Sequence, residues 1–340
     1  MPQLLPALAT PPLGIPTPAV PAPVATPSGP RRRLGQSDLD VFPLAIGGNV
    51  FGWTADADSA NGVLDEYAAR GGNFIDTADS YAGGRSEIMI GNWMRASRNR
   101  SSMVIGTKIG KSADHPGVSA REIPRAVAAS LLRLRTDYID LLYLHIDDQD
   151  VPFEETLLAV DDLIRSGKVR YFGVSDHSAN RLVEARVIAA QLGVAPMVAL
   201  QNHYNLMHRR DLEGDLARVA AQLGLGVMPR FALAGGFLTG KYRAKSDLRG
   251  DRRRGTTAGY LGKRGLRILG VLDAIAAEQR AAGVEDATVA GVSLAWLLSK
   301  PNVVAPVASA SGPEQVAELT AAAAMRLGRS QLAALDRVSG

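Results

Sequence analysis

From Arg31 onward, short apolar runs alternate with longer stretches in which apolar positions recur every three or four residues. The short runs predict strands over Leu44–Gly47, Phe74–Asp76, Met103–Thr107, Ile139–His145, Arg170–Ser175, Ala199–Asn202, Gly226–Pro229 and Val303–Val307. Several of them (LLYL, VIGT, VVAPV) are apolar nearly throughout, the pattern of strands buried on both faces of a parallel sheet. The longer stretches predict helices over Asp58–Arg70, Ser86–Arg95, Ser119–Leu132, Phe153–Arg165, Ala179–Leu192, Leu212–Leu223, Leu266–Ala282 and Gln315–Ala324. Glycine stands where four of these must stop, at Gly71, Gly167, Gly193 and Gly224.

Eight strands, each followed by a helix, is the count of a closed barrel. The competing architecture, a doubly wound sheet, needs a Gly-rich dinucleotide fingerprint at the first helix. Gly47-Gly48 instead runs into Asn49-Val50-Phe51 without that spacing. The pattern therefore predicts an α/β fold, a single (β/α)8 TIM barrel over residues 31–340.

Composition adds the ends and the surroundings. Residues 1–30 hold ten of the chain's 19 prolines and no charged residue. Repeated proline removes backbone donors and blocks helix and sheet alike, so this segment is expected to be a disordered, polyproline-like tail. It has no basic start, and proline breaks each of its apolar runs, which argues against a secretory leader. No apolar run reaches membrane-spanning length, so no membrane partner is expected. Cysteine is absent, which excludes disulfides, thiolate metal sites and a cysteine nucleophile, and fits a reducing cytoplasm. No metal is expected, and the oligomeric state is open.

The formal charge is +4, but it is uneven: residues 241–267 carry ten Lys and Arg against Asp247 and Asp251. One basic segment argues for a local anionic partner rather than a nucleic-acid-binding face, with a solvated loop, Arg252–Arg254 included, as the plain alternative.

In a barrel of this kind the chemistry sits at the C-terminal ends of the strands. Three successive predicted strands end on Asp76, Lys108 and His145, and Tyr81 lies in the loop after Asp76. Adjacent parallel strands lie about 5 Å apart, so the four groups can converge. A phenol titrates near ~10, too high to give up a proton readily at neutral pH. A neighbouring ammonium favours the phenolate, and a buried ammonium needs a carboxylate of its own. Tyr81 would then donate a proton, Lys108 tune it, Asp76 hold Lys108, and His145 bond a substrate carbonyl oxygen or assist the proton's transfer. Each residue alone has an ordinary reading: a turn aspartate, a surface lysine, a structural histidine, a rim tyrosine. Their common face is what favours the joint one.

The same residues resemble the catalytic tetrad of the aldo-keto reductase family: Asp76 and Tyr81 in IDTADSY before GGRSE, Lys108 in GTK, His145 in YIDLLYLH. The resemblance continues through YFGVSD (171–176), LQNHYN (200–205), PRFALAGGFLTGKYR (229–243), VSLAWLLSKPNVVAPVASAS (292–311) and PEQVAEL (313–319), in order from about Arg33 to the C-terminus. It implies hydride transfer from a reduced nicotinamide cofactor, NADPH with NADH open beside it, to a small aldehyde or ketone, with Tyr81 protonating the alkoxide. Carried over by position, Ser175, Asp176 and Gln201 would face the nicotinamide carboxamide. Leu233, Gly235, Leu238 and Lys241 would line the pyrophosphate, and Ser309 and Gln315 the adenosine end. Phe51, Trp53 and Tyr81 would form substrate-pocket walls, with His203 or Tyr204 as further candidates.

The chain also departs from the family. Asp176 stands where the family usually has Asn, and a carboxylate cannot donate to an amide oxygen. Arg230 stands where an aromatic residue usually stacks on the nicotinamide. A guanidinium can stack too, and Phe231 next door is a second candidate for that role. Ser309 and Gln315 replace basic residues that many members use on a 2′-phosphate. Two other classes remain: a cofactor-binding regulatory barrel like the channel-subunit relatives of this family, and a lyase using Lys108 as an amine nucleophile.

Overall fold

The structure, a computed structural model, describes residues 29–249 and 254–340. Nearly all of the expected tail, and Arg252 and Arg253 of the basic segment, lie outside the described residues.

Eight parallel strands form one sheet: β1 (Ala45–Gly47), β2 (Phe74–Asp76), β3 (Val104–Ile109), β4 (Ile139–Leu144), β5 (Val169–Ser175), β6 (Ala199–Gln201), β7 (Gly226–Val227) and β8 (Val307–Ala308). They neighbour one another in that order, with β8 paired back onto β1. The ring closes through backbone bonds between β7 and the segment leading into β8, from Val227 to Asn302 at 2.8 Å and from Val304 to Val227 at 2.9 Å. The Val307 amide reaches Pro229 at 2.8 Å. The expected eighth strand therefore begins later than Val303, because Pro306 cannot donate to a ladder.

The helices occupy the outside. Those over Phe153–Arg165 and Ala179–Leu192 keep their expected bounds. Asp56 starts the first helix, Ala57–Ala69, by accepting from the Ser59 amide at 2.9 Å. Gly193, at φ 67, ends Ala179–Leu192 in the left-handed conformation.

Among the described residues, the short helix Arg254–Thr257 and two longer ones were not anticipated. Val289–Leu298 is buried at nine of its ten positions, so it has no polar stripe to reveal a helical period. Arg329–Ser339 packs near it, and its Asp336 receives Trp296 Nε1 at 3.0 Å and Lys300 Nζ at 2.6 Å.

The lower end of the barrel is plugged by an antiparallel ribbon, Arg32–Arg33 with Asp40–Val41. Its Leu34, Leu39 and Val41 join the inward-facing Phe74, Leu141 and Tyr143 in one cluster, separate from the larger core between sheet and helices. Tyr143 fits inside because its neighbours are glycines: a Cβ on Gly173 would come within 2.9 Å of its ring. Residues above this layer can only face the upper mouth. Among the described residues, no helix is long and apolar enough to cross a membrane.

Candidate active site

Asp76, Lys108 and His145 stand at or just beyond the ends of β2, β3 and β4, as the apolar runs require. The Lys108 ammonium is fully buried, 2.5 Å from Asp76 Oδ2 and 2.8 Å from the Thr77 carbonyl oxygen. The other carboxylate oxygen of Asp76 accepts from the Gln201 side-chain amide at 2.8 Å. Thr77 is itself fixed, its hydroxyl 2.8 Å from that of Ser86, which donates to the Gly48 carbonyl. A buried ion pair is tolerable only when its remaining hydrogen-bonding positions are filled, and here they are.

The loop after β2 brings Tyr81 over this pair. Its turn is made by Ala82, Gly83 and Gly84, all at positive φ, and a Cβ on Gly84 would come within 2.8 Å of the Arg133 side chain. Lys108 Nζ lies 5.0 Å from the centre of the Tyr81 ring, and the His145 ring meets it edge to face at 6.1 Å. The four groups thus come together at the barrel mouth.

Their electrostatics refine the expectation. Burial raises the Tyr81 phenol above its ordinary value, and Lys108 pulls it back only in part. The phenol is therefore a protonated group held beside an ammonium, not one ready to ionise. Lys108 is held charged: burial works against its ammonium, and Asp76 and Tyr81 outweigh that. Burial, then Lys108, Lys111 and Arg230, depress His145 to about 2, so its ring is neutral across the physiological range. Its Nδ1 has no hydrogen-bond partner among the described residues. A neutral ring offers one N–H donor, suited to a carbonyl oxygen rather than to proton delivery.

A cavity of about 730 Å³ runs from Trp53, Tyr81 and His145 past Gln201 and Arg230 to Gly235, Lys241, Ser309 and Gln315. That volume is in the range of small-molecule and cofactor sites. At its far end Gly235 and Gly236 take φ 66 and 97, a backbone that only glycine adopts easily, and the turn they make faces the cavity. Lys241, Ser309 and Gln315 line this far end beside that turn.

Other expected residues are placed differently. Phe51 is fully buried in the core between sheet and helices, not on the cavity wall, because the turn after β1 folds it inward. Leu238 is likewise in the core, and its carbonyl accepts from Ser293. Tyr204 is buried, with its hydroxyl on Glu213 at 2.7 Å. His203 stacks on His208 at 3.9 Å and lines a second cavity on the far side of Asp176 and Arg230.

Three groups expected at the carboxamide already have protein partners. Ser175 Oγ donates to the Gln201 carbonyl oxygen, Gln201 donates to Asp76, and Asp176 is paired with Arg230. The Ser311 amide likewise bonds the Gln315 side chain. Sequence reasoning missed Asn49, Thr54 and Lys111 as cavity residues. Lys111 had a legible signal, three positions beyond Lys108 in GTKIGK; the other two sit in a turn with no pattern.

The fold and this mouth define a class: a (β/α)8 barrel whose strand ends assemble a buried aspartate–lysine pair under a tyrosine and a neutral histidine. Comparison with known sequences narrows the class. The profile of the Aldo/keto reductase family matches residues 43–339. The chain is 34% identical over 298 residues to a probable voltage-gated potassium channel subunit beta of Oryza sativa subsp. japonica, covering 84% of this chain and 89% of that one. It is 32% identical over 320 residues to the aldo-keto reductase ausK of Emericella nidulans, covering 88% and 79%. It is 31% identical over 293 residues to norsolorinic acid reductase B of Aspergillus parasiticus, covering 80% and 74%. The chain belongs to the aldo/keto reductase family, and its function is that of an oxidoreductase.

Proposed function

We propose that the protein reduces small aldehydes or ketones to alcohols with NADPH or NADH, and that Tyr81 supplies the proton. The observation that carries this reading is the buried Lys108–Asp76 pair, 2.5 Å apart, lying under Tyr81 and His145 at one end of the long cleft.

The cofactor, when bound, supplies the hydride. The protein's own groups do the rest. His145, neutral, donates its ring N–H to the carbonyl oxygen and polarises it. Tyr81 stands ready to pass its hydroxyl proton to that oxygen as negative charge develops there. Lys108 stabilises the phenolate left behind, and Asp76, held by Gln201, keeps Lys108 charged and in place. Because burial holds the free phenol's pKa high, the proton stays on Tyr81 until the alkoxide forms. General acid catalysis of this kind contributes roughly 10²–10⁴-fold.

A cytoplasmic location belongs to the same proposal and rests on the absence of cysteine from all 340 residues. So does the division into a tail and a single catalytic barrel. The likeness to channel beta subunits supplies a second reading, a barrel that retains cofactor but turns over little.

The test is loss of reduced-nicotinamide absorbance across a panel of aldehydes and ketones, with NADPH and NADH compared. Turnover supports the reductase. Cofactor binding with no turnover on any compound supports the regulatory reading. A borohydride-trapped adduct on Lys108 would instead reveal amine chemistry.

A further inference from the structure

We infer that Lys111 makes the site select carbonyl substrates that carry a second, anionic group, a carboxylate foremost. The inference rests on the reductase reading above and names its substrate class.

Lys111 stands just beyond the end of β3 and lines the catalytic cavity together with Tyr81 and His145. The neighbouring cations are matched: Lys108 by Asp76, and Arg230 by Asp176 through two bonds. Lys111 has no side-chain hydrogen bond or ion pair with any described residue. His145 is neutral and contributes no charge. Burial lowers the Lys111 ammonium's pKa, Asp176 pulls it up, and Arg230 and Lys108 push it down again. One positive charge is therefore left over at the reaction end of the cleft.

Its position separates it from the cofactor's phosphates. Lys241, Gly235 and Ser309, which would serve those phosphates and the adenosine end, lie beyond β7 and β8. In the strand order β8-β1-β2-β3-β4-β5-β6-β7, β3 and β4 form the opposite arc of the ring. A charge on that arc addresses what enters beside Tyr81 and His145, which is the substrate. A polar group at the cavity mouth also keeps contact with water, so the discrimination is severalfold rather than absolute.

The ordinary reading is a solvated lysine that happens to border the cavity. Paired probes separate the two. The values of kcat/KM for 4-formylbenzoate and its neutral isostere 4-formylbenzamide are measured with NADPH, for the wild type, Lys111→Met and Lys111→Arg. The wild type is expected to favour the carboxylate. Lys111→Met should lower the anion-to-neutral ratio by about three- to tenfold, mostly through KM, while Lys111→Arg retains it. Added salt should shrink the wild-type ratio.

A ratio unmoved by Lys111→Met, or an equal loss on both probes, overturns the inference. Failure of the whole aldehyde and ketone panel, both probes included, to oxidise the cofactor is a different result: it removes the reductase reading, and the inference falls with it.

Discussion

Arg230 clasps Asp176 through two hydrogen bonds of 3.0 Å, Nε to Oδ1 and Nη2 to Oδ2, across the mouth of the barrel. The two residues lie 54 positions apart, after β7 and at the end of β5. They are also the two positions where the resemblance to the family implies an amide and an aromatic ring facing a nicotinamide. The departures form one structural unit: a carboxylate that replaces an amide is neutralised by a guanidinium that replaces an aromatic ring. The pair also divides the catalytic cavity from the second one, since both residues border each.

Coupling between the two follows. Asp176→Asn leaves a guanidinium without its partner, and Arg230→Tyr leaves a carboxylate beside the cofactor cleft. Each single change should weaken NADPH binding, and the double change should recover part of the loss. The pair is partly exposed, so a coupling energy of about 1 kcal/mol is expected from fluorescence titrations in a double-mutant cycle. Strictly additive effects would show that the two positions act separately.

The buried pair beneath the site should be costlier to break. Lys108→Met strands the Asp76 carboxylate in a dry interior and should destabilise the fold by about 3–5 kcal/mol in urea unfolding. Adding Asp76→Leu should restore much of that stability without restoring turnover. If Lys108→Met alone unfolds at the wild-type midpoint, the pair's burial has been misjudged.

Asp79, buried and lying between Asp76 and Tyr81 in sequence, gives a pH signature. Burial, with the Glu87 carboxylate second, raises it to about 6 from an ordinary value near 3.8. Between those two values the native state holds a proton that the unfolded chain releases, so this group's contribution to stability falls as pH rises. The penalty is complete above about pH 6. Asp79→Asn should therefore stabilise the protein by about 1–2 kcal/mol at pH 7.5 and by much less at pH 4, read from urea midpoints. An equal gain at both values would assign the effect to something other than ionisation.

His145 has the opposite sign. Its pKa is depressed to about 2, so the native ring stays neutral where an unfolded histidine would take up a proton, and its contribution to stability is lost as pH falls below about 6.5. The rate carries no inflection from it: kcat/KM should be level through pH 6–8, and an inflection near 6.5 that disappears in His145→Gln would mean the ring titrates during catalysis.

Much of the barrel was legible because its strands are apolar runs that stop at polar residues, and those stops are Asp76, Lys108 and His145. Val289–Leu298 was not, since a helix buried all round shows no period. Phe51 misled for a related reason: an aromatic residue after a strand fits a pocket wall and a core equally well, and only the turn decides. The Asp176–Arg230 clasp was out of reach for a stronger reason. Each residue could be read as a departure, but their pairing depends on how β5 and β7 are placed around the ring.

Tyr81 as proton donor is tested most directly by Tyr81→Phe, which deletes one hydroxyl and leaves the ring beside Lys108. With an aldehyde that the wild type reduces, kcat/KM should fall by roughly 10²–10⁴-fold, while NADPH titrates the variant with unchanged affinity. A variant that binds the cofactor and reduces the aldehyde at the wild-type rate would contradict it.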